Sequence, residues 1–170
     1  MKTLLLSVFV TAFALIVSCT PPGRQEKTAE QKELPSEVLY PADYRSWTHV
    51  KSMVLEPGHP LYESFGGIHH IYANAEAMQG YRSGTFPDGS VIVFDLLEAL
   101  RKDSAVSEGN RKVIGVMYKN SNVFTETGGW GFGGFSDQKG TRVQLDAKSA
   151  CFNCHAGRKD FDYVFSSYRP

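Results

Sequence analysis

The residues with the clearest potential for chemistry lie together near the C-terminus. Cys151, Cys154 and His155 follow the spacing C-x-x-C-H, which is typical of covalent haem attachment. Two thiols on about one helical turn can reach the two vinyl groups of a haem, and the neighbouring imidazole can bind the iron from the same face. The spacing therefore predicts one covalently attached haem c, with His155 as the proximal iron ligand.

Three other kinds of site use similar residues. A structural zinc site needs four ligands, so the fourth would come from a distant histidine or carboxylate. A redox dithiol is expected at the start of a helix in a βαβ unit near the N-terminus, whereas this motif lies near the end of a strand-rich chain. A plain disulfide is the third alternative. We favour haem attachment over all three.

A second axial ligand is not evident in the sequence. Neither Met nor His follows His155, so a distal ligand has to come from upstream or be missing. The upstream candidates are His49, His59, His69, His70, Met53, Met78 and Met117. Histidines on strands are usually solvated or hydrogen-bonded, and buried methionines usually fill the core. We therefore expect a five-coordinate iron that is open to small ligands.

The N-terminus indicates the cellular compartment. A short positive start is followed by an apolar run over residues 4–17, which suits the hydrophobic region of a signal peptide better than a membrane span. The run ends in Ile-Val-Ser-Cys19, which resembles a bacterial lipobox. These features predict a lipoprotein signal peptide over residues 1–18, a lipidated Cys19, and an exported protein that its lipid anchors to a membrane facing the periplasm or cell surface. Cleavage beyond Cys19 and retention as an uncleaved anchor are the alternatives.

Length and charge limit the remaining possibilities. The chain has 170 residues, with 18 basic and 18 acidic side chains, so one domain and no nucleic-acid partner are expected. It contains 3 Cys, and lipidation of Cys19 leaves only the two in the motif. Residues 19–35 are mostly polar and charged and predict a flexible tether. The folded domain is therefore expected over residues 36–170.

Short runs of β-branched and aromatic residues between Gly, Pro and Asn predict an α+β fold, mainly antiparallel β. The predicted strands cover residues 48–55, 68–73, 90–97, 113–119 and 130–135. Short helices are predicted over 41–47 and, with Asn74 as N-cap, over 75–79. The segment 102–110 is expected to be a polar, mobile loop. One or two helical turns over 146–155 would present the Cys-rich motif.

Several segments resemble the cytochrome P-460 and cytochrome c′-beta family in their order and spacing. They are Tyr-Arg-Ser-Trp at 44–47, Ile-Tyr-Ala-Asn at 71–74, Gly-Thr-Phe-Pro-Asp-Gly-Ser at 84–90, Thr-Gly-Gly-Trp-Gly-Phe at 127–132, the haem motif, and Asp-Tyr-Val-Phe at 162–165. The resemblance implies a mostly antiparallel β fold with a few helices, a haem held by the C-x-x-C-H motif, and a homodimer.

The resemblance also implies two functions. Members of the cytochrome P-460 type oxidise hydroxylamine and carry an extra haem cross-link from a lysine. Members of the cytochrome c′-beta type bind nitric oxide or carbon monoxide beneath a cap of phenylalanines. Alignment of the Pro-Asp-Gly turn puts Phe94 at the lysine position, where it cannot form the cross-link and would give an apolar distal wall. An ordinary core aromatic is the alternative. Lys102, Lys112 and Lys119 are expected to be solvated.

The remaining candidate residues have two interpretations each. Trp130 could pack on the haem or only in the core, and Arg158 could pair with a haem propionate. Asp95 and Glu98 could move protons, although we expect solvated carboxylates instead.

We predict a haem c protein that binds a diatomic gas, with nitric oxide as the leading ligand. The alternatives are an oxidoreductase acting on hydroxylamine or nitric oxide, and an electron carrier with a redox partner protein.

Overall fold

The computed structural model describes residues 33–170. The predicted signal peptide, the lipidation site at Cys19 and most of the tether lie outside the described residues, so these expectations stay predictions. In the part of the chain that is described, no helix is long and apolar enough to cross a membrane.

The described chain folds into five strands with short helical segments between and after them. The strands are β1 (Thr48–Leu55), β2 (Gly67–Ala73), β3 (Val91–Lys102), β4 (Ala105–Lys119) and β5 (Trp130–Phe135). The α-helices are α1 (Tyr62–Phe65), α2 (Ala75–Ser83) and α3 (Asn153–His155). Single 3-10 segments cover Tyr44–Ser46, Thr125–Thr127 and Ala156–Phe161, and a π-helical turn covers Lys148–Phe152.

All five strands form one antiparallel sheet in the order β1-β2-β3-β4-β5. This meander confirms the predicted α+β fold with mainly antiparallel strands. Each predicted strand is present, because runs of β-branched and aromatic residues pack well on a pleated surface that is buried. The helix predicted over 41–47 is only a 3-10 turn, Tyr44–Ser46.

The two faces of the sheet bury different clusters, because successive side chains of a strand point to opposite sides. The front face carries Ile71, Ile92, Phe94, Met117 and Phe132, as the strand register shows. Its apolar cluster also contains residues of α2 and of the C-terminal segment. The back face carries Tyr72, Val93, Asp95, Val116 and Tyr118, packed against residues before β1.

The prediction of a loop over residues 102–110 is wrong. β3 runs to Lys102 and β4 begins at Ala105, and these two residues pair directly across the turn. Asp103 and Ser104 both have positive φ, 52° and 62°, as in the two-residue turn that matches the twist of a hairpin. The polar side chains of this segment are exposed because the hairpin extends beyond the two buried clusters, so its order comes from backbone pairing rather than from burial.

Helix α2 begins where the sequence predicts. The Asn74 side chain accepts hydrogen bonds from the backbone N–H groups of Ala77 and Val91, both at 2.9 Å, and donates one to the Gly89 carbonyl at 2.9 Å. One side chain thus caps α2 and joins it to the turn that precedes β3. The helix is longer than predicted and ends at Ser83 before a left-handed Gly84.

The back face contains a buried charge network around Asp95, which is fully buried. Tyr44 Oη donates to Asp95 Oδ2 at 2.7 Å, Arg45 Nη2 donates to the same oxygen at 2.8 Å, and Arg111 Nε donates to Oδ1 at 2.8 Å. The expectation of a solvated Asp95 near a distal pocket is therefore wrong, because the residue points away from the face that carries Phe94. Glu98 is exposed, as expected.

This network shifts the ionisation of its members. Burial by itself would raise the pKa of the Asp95 carboxyl, but hydrogen bonds from Arg111, Tyr44 and Arg45 outweigh it and hold the pKa below its usual value. Burial and the hydrogen bond to Asp95 raise the pKa of Tyr44 to about 12. The carboxylate is thus ionised and the phenol is protonated at neutral pH.

Candidate functional site

The C-x-x-C-H motif lies on consecutive helical turns after the sheet. Asp146 starts this segment, because its carboxylate accepts hydrogen bonds from the Lys148 N–H at 3.2 Å and from the Ser149 hydroxyl at 2.6 Å. The π-helical turn Lys148–Phe152 and α3 follow without a break. The helical turns predicted over 146–155 are confirmed.

Both motif cysteines are free thiols. Cys151 packs against the front-face cluster and Cys154 is exposed. Burial raises the pKa of the Cys151 thiol, which disfavours the thiolate that zinc would require. Across residues 33–170, no three His, Cys, Asp or Glu side chains converge in a way that could hold a metal ion. The zinc and disulfide alternatives therefore gain no support.

His155 is held in the tautomer that an axial iron ligand needs. Its Nδ1 donates to the Tyr163 carbonyl oxygen at 2.7 Å, which leaves Nε2 to bind a ligand. The ring packs between Phe132 and Phe165, with ring centroids 5.1 Å and 4.9 Å away. Burial lowers the pKa of His155, so the imidazole is neutral and can donate its lone pair.

The carbonyl that orients His155 belongs to a constrained turn. Asp162 and Tyr163 both have positive φ, 49° and 65°, which is costly for residues other than glycine. Asp162 makes three hydrogen bonds that hold the turn: it accepts from the Phe86 N–H at 2.8 Å, from Lys119 Nζ at 2.7 Å and from Trp130 Nε1 at 2.9 Å. These contacts fix the position of the Tyr163 carbonyl.

Lys119 and Trp130 lie beneath this turn, inside the protein. Lys119 is buried and its ammonium lies 5.0 Å from the centre of the Trp130 ring, so the expectation of a solvated Lys119 is wrong. Its charge is compensated by Asp162 and by the Gly128 carbonyl at 2.9 Å. Trp130 is fully buried against Phe86, with ring centroids 5.5 Å apart, and it fills the core below the site.

Replacing Lys119 with methionine should destabilise the protein by about 3 to 5 kcal/mol, because it leaves the Asp162 carboxylate nearly buried without its cation. The double variant Lys119→Met with Asp162→Asn should recover part of this loss, because no unpaired charge remains. Denaturant unfolding measures both, with the exposed Lys139→Met as the matched control. A double variant as unstable as the sum of the single ones would contradict the pairing.

Phe94 lies on the same face as the motif but belongs to a separate group of aromatic residues. It is half-buried and packs edge-on against Phe65 at 5.9 Å and against the His69 ring at 4.6 Å. Ile71, which pairs with Phe94 across strands β2 and β3, packs on the front-face cluster, and so does Cys151. Next to Phe94, the three atoms nearest to a Cβ placed on Gly115 would all belong to Phe94, at 3.5 to 3.9 Å.

The candidate distal ligands are dispersed in the structure. His69 is the one that contacts Phe94, but its Nε2 is bonded to the Phe65 carbonyl at 2.5 Å, and burial lowers its pKa. His49 and His70 are on the back face, where both rings contact Tyr72. Met78 is buried in the core and Met53 is 48% exposed. His59 accepts a hydrogen bond from a nearby backbone N–H, and Met117 packs on the front-face cluster.

Arg158 and two phenylalanines provide a test of whether these residues suit a haem. Arg158 Nε is buried without a hydrogen-bond partner, as expected of a group that awaits an anion such as a propionate. Its guanidinium lies 4.2 Å from the centre of the Phe161 ring and 5.6 Å from that of Phe165. Both rings are more than half exposed, 58% and 52%, so they offer apolar surface to a macrocycle. The residues around His155 therefore fit a haem.

The sheet and the terminal segment define a small antiparallel β protein with a C-terminal C-x-x-C-H motif. The sequence model of the family described as Cytochrome P460 matches residues 41–166, and the chain belongs to this family. Membership implies a haem cofactor. No curated protein matches the chain significantly.

The sequence alone did not predict the site roles of four residues, which are Phe65, Phe161, Asp162 and Lys119. Phe65 lies on a helix of only 4 residues that has no clear periodic signal. Phe161 and Asp162 follow the motif closely, and proximity to the motif was the available signal. The residues around Lys119 in the sequence do not indicate that it is buried, because its ion-pair partner Asp162 is 43 residues away.

Proposed function

We propose that the chain is a haem c protein whose open axial position binds a neutral diatomic gas, with nitric oxide as the preferred ligand. Cys151 and Cys154 would hold the haem through two thioether bonds, and His155 would bind its iron through Nε2. When bound, the haem supplies an iron with one coordination position available to a small ligand. The single observation that carries the gas-binding proposal is the aromatic group of Phe94, Phe65 and His69.

The proximal side is supported by the hydrogen bond of His155 to the Tyr163 carbonyl. A backbone acceptor on Nδ1 fixes the tautomer and the ring orientation, and the constrained turn at Asp162 keeps that acceptor in place. Arg158 has an unpaired Nε suited to a propionate. These residues hold and orient the cofactor, and none of them has to move a proton.

The apolar character of the Phe94 group favours a neutral ligand. Phe94 and Phe65 offer no hydrogen-bond donor, and the Nε2 proton of His69 is used by a carbonyl oxygen 2.5 Å away. A polar substrate such as hydroxylamine would find no side-chain hydrogen-bond donor among these three residues in place of water, whereas nitric oxide loses very little. The neutral state of His69 also removes a charge from this region.

The alternative of a lysine cross-link finds no support among the three lysines considered. Lys102 is exposed at the end of the β3–β4 hairpin, and Lys112 Nζ donates to the Gly66 carbonyl at 2.8 Å. Lys119 is committed to Asp162. The oxidoreductase of the cytochrome P-460 type therefore stays the second hypothesis, and an electron carrier the third.

Export, lipid anchoring at Cys19 and a homodimer remain part of the proposal. Thioether attachment of haem c is made outside the cytoplasm, which agrees with an exported lipoprotein. A redox partner protein is required only if the iron cycles between oxidation states. Residues 1–32, which carry the predicted signal and Cys19, are outside the described part of the chain.

The visible spectrum of the reduced protein, with and without nitric oxide or carbon monoxide, tests the proposal. We expect a high-spin spectrum that shifts when either gas is added. Phe94→Ala should raise the carbon monoxide association rate about tenfold, which corresponds to about 1.4 kcal/mol in the barrier, because it removes an obstructing ring. Phe124→Ala, which removes a half-buried ring packed on Tyr118 of the back face, is the control.

Other spectra would point to the alternatives. A low-spin spectrum that does not change when either gas is added would overturn the gas-binding proposal and favour an electron carrier. A strongly red-shifted haem band would reveal a lysine cross-link and favour the oxidoreductase. Equal rates in Phe94→Ala and Phe124→Ala would remove Phe94 from the gas site.

A further inference from the structure

Two histidines and a serine converge on the back face, away from the proposed haem site. His49 Nε2 lies 2.9 Å from Ser52 Oγ, and His70 Nδ1 lies 2.7 Å from the same oxygen. The residues belong to the neighbouring strands β1 and β2. Ring nitrogens of two imidazoles thus face one small volume, which the serine hydroxyl occupies.

A bulge in β1 creates this arrangement. His49 and Ser52 are three positions apart, so in a regular strand they would point to opposite faces. The register instead shifts between His49 and Lys51, where the pairing passes from Tyr72 to Ile71. Val50 is the extra residue, and it packs into the front-face cluster. Bulges re-aim side chains in this way and are often functional.

A carboxylate stands on the other side of one imidazole. Glu108 Oε1 is 2.7 Å from His70 Nε2, although the N–H direction is not aligned for a hydrogen bond and His70 Nε2 has no aligned partner. A carboxylate at this distance favours the tautomer with the proton on Nε2, which leaves the lone pair of Nδ1 facing Ser52. The order carboxylate, histidine, metal is common around bound transition ions.

We propose that His49 and His70 form a binding site for a divalent transition-metal ion, with Cu²⁺ bound most tightly. His49 Nε2 and His70 Nδ1 are the protein ligands, the Ser52 hydroxyl or water completes the coordination, and Glu108 orients His70. Imidazole suits copper and zinc, and copper is the strongest binder of the divalent series. The site has two nitrogen ligands from the protein, and within residues 33–170 no group of three or more His, Cys, Asp or Glu side chains could hold a metal ion.

The surroundings allow an ion to enter. His49 and Ser52 are exposed, and Glu108 is half exposed at 50%. The Glu108 carboxylate places a negative charge near the site. Because the site is on the face opposite Phe94 and the motif, it does not depend on the proposed haem function.

Titration of CuCl₂ into the untagged full chain, followed by calorimetry and electron paramagnetic resonance, tests this site. Cys151 and Cys154 must be in thioether linkage or alkylated, so that free thiols do not compete. We expect one Cu²⁺ with coupling to two nitrogen nuclei. His49→Ala and His70→Ala should each weaken binding at least about tenfold, and Glu108→Gln by about 10- to 100-fold, as for other residues that orient metal ligands.

His59→Ala is the matched control, because this histidine is also exposed but lies in the turn after β1. It should leave the affinity unchanged. Equal affinities in the wild type, His49→Ala and His70→Ala would overturn the proposal, as would a loss in His59→Ala as large as theirs. His49 is exposed, so its replacement should not unfold the sheet. If His70→Ala fails to fold, the result for His49→Ala alone decides.

Discussion

A chain in which Cys151 and Cys154 are both replaced by alanine should contain no covalently bound haem. Each thioether bond needs its own thiol, and with both thiols removed the cofactor could be held only by non-covalent contacts and by the His155 imidazole, through a bond that denaturation breaks. The measurement is haem-dependent peroxidase staining after denaturing electrophoresis, together with acid–acetone extraction of the pigment. Haem should remain with the wild-type chain and be extracted completely from the variant.

Single variants and a neighbouring control sharpen this expectation. Cys151→Ala and Cys154→Ala should each keep at most one thioether, which shifts the absorption bands of the denatured, reduced haem. Asn153→Ala changes an exposed residue between the two cysteines and should retain full covalent attachment. Pigment that stays with the double variant through denaturation would show that other residues attach the cofactor.

The second large effect is expected at Asp95. Asp95→Asn should destabilise the folded protein by about 3 to 5 kcal/mol, because it removes the anion of a buried pair and leaves Arg111 without compensation. Arg111 is the more affected partner, since its side chain is 12% exposed and that of Arg45 is 47% exposed. Urea unfolding of the variant and the wild type gives the difference.

The effect of Asp95 should depend on pH in a definite direction. The pKa of Asp95 is depressed in the folded protein, whereas an unfolded aspartate has a pKa of about 3.9. The contribution of this group to stability is therefore fully present above about pH 5 and is lost as the pH falls below about 4 towards the folded pKa. The difference in unfolding free energy between wild type and Asp95→Asn should narrow over that range.

Glu98→Gln provides the matched comparison for Asp95→Asn. Glu98 lies on the same strand, is exposed, and accepts one hydrogen bond from the Asn110 N–H at 3.1 Å, which an amide oxygen can also accept. Its replacement should change stability by less than about 0.5 kcal/mol. An Asp95→Asn variant as stable as Glu98→Gln, or a difference that stays constant down to pH 3, would contradict the ion-pair network.

The sheet was predictable because its signal is local. Strands β1 and β5 match the predicted residues, and β2 differs by one residue, since the β-branched and aromatic residues that indicate these strands lie within short segments of the chain. The β3–β4 hairpin was missed because Asp103 and Ser104 form a turn without glycine. The strand ends on either side of this turn are polar, so their composition is like that of a loop.

The site was predictable only in part. The C-x-x-C-H spacing of Cys151, Cys154 and His155 was visible because it lies within five consecutive residues, and their role in haem attachment stays a proposal. The role expected of Phe94 followed from alignment of the Pro-Asp-Gly turn with the family, and the structure places the residue on the front face. The burial of Asp95 and of Lys119 did not follow, because each depends on partners that are far away in sequence, Arg45 and Tyr44 in one case and Asp162 in the other.

The sequence by itself thus determined the approximate positions of the five strands, the C-x-x-C-H spacing and the presence of an aromatic side chain at position 94. Each of these features depends on a short segment of consecutive residues. The tertiary structure decided which nitrogen of His155 is free, what holds the turn at Asp162, and that a bulge turns His49 and Ser52 to the same face. Those features require groups from separate strands and turns to meet, and only the folded chain brings them within hydrogen-bond distance.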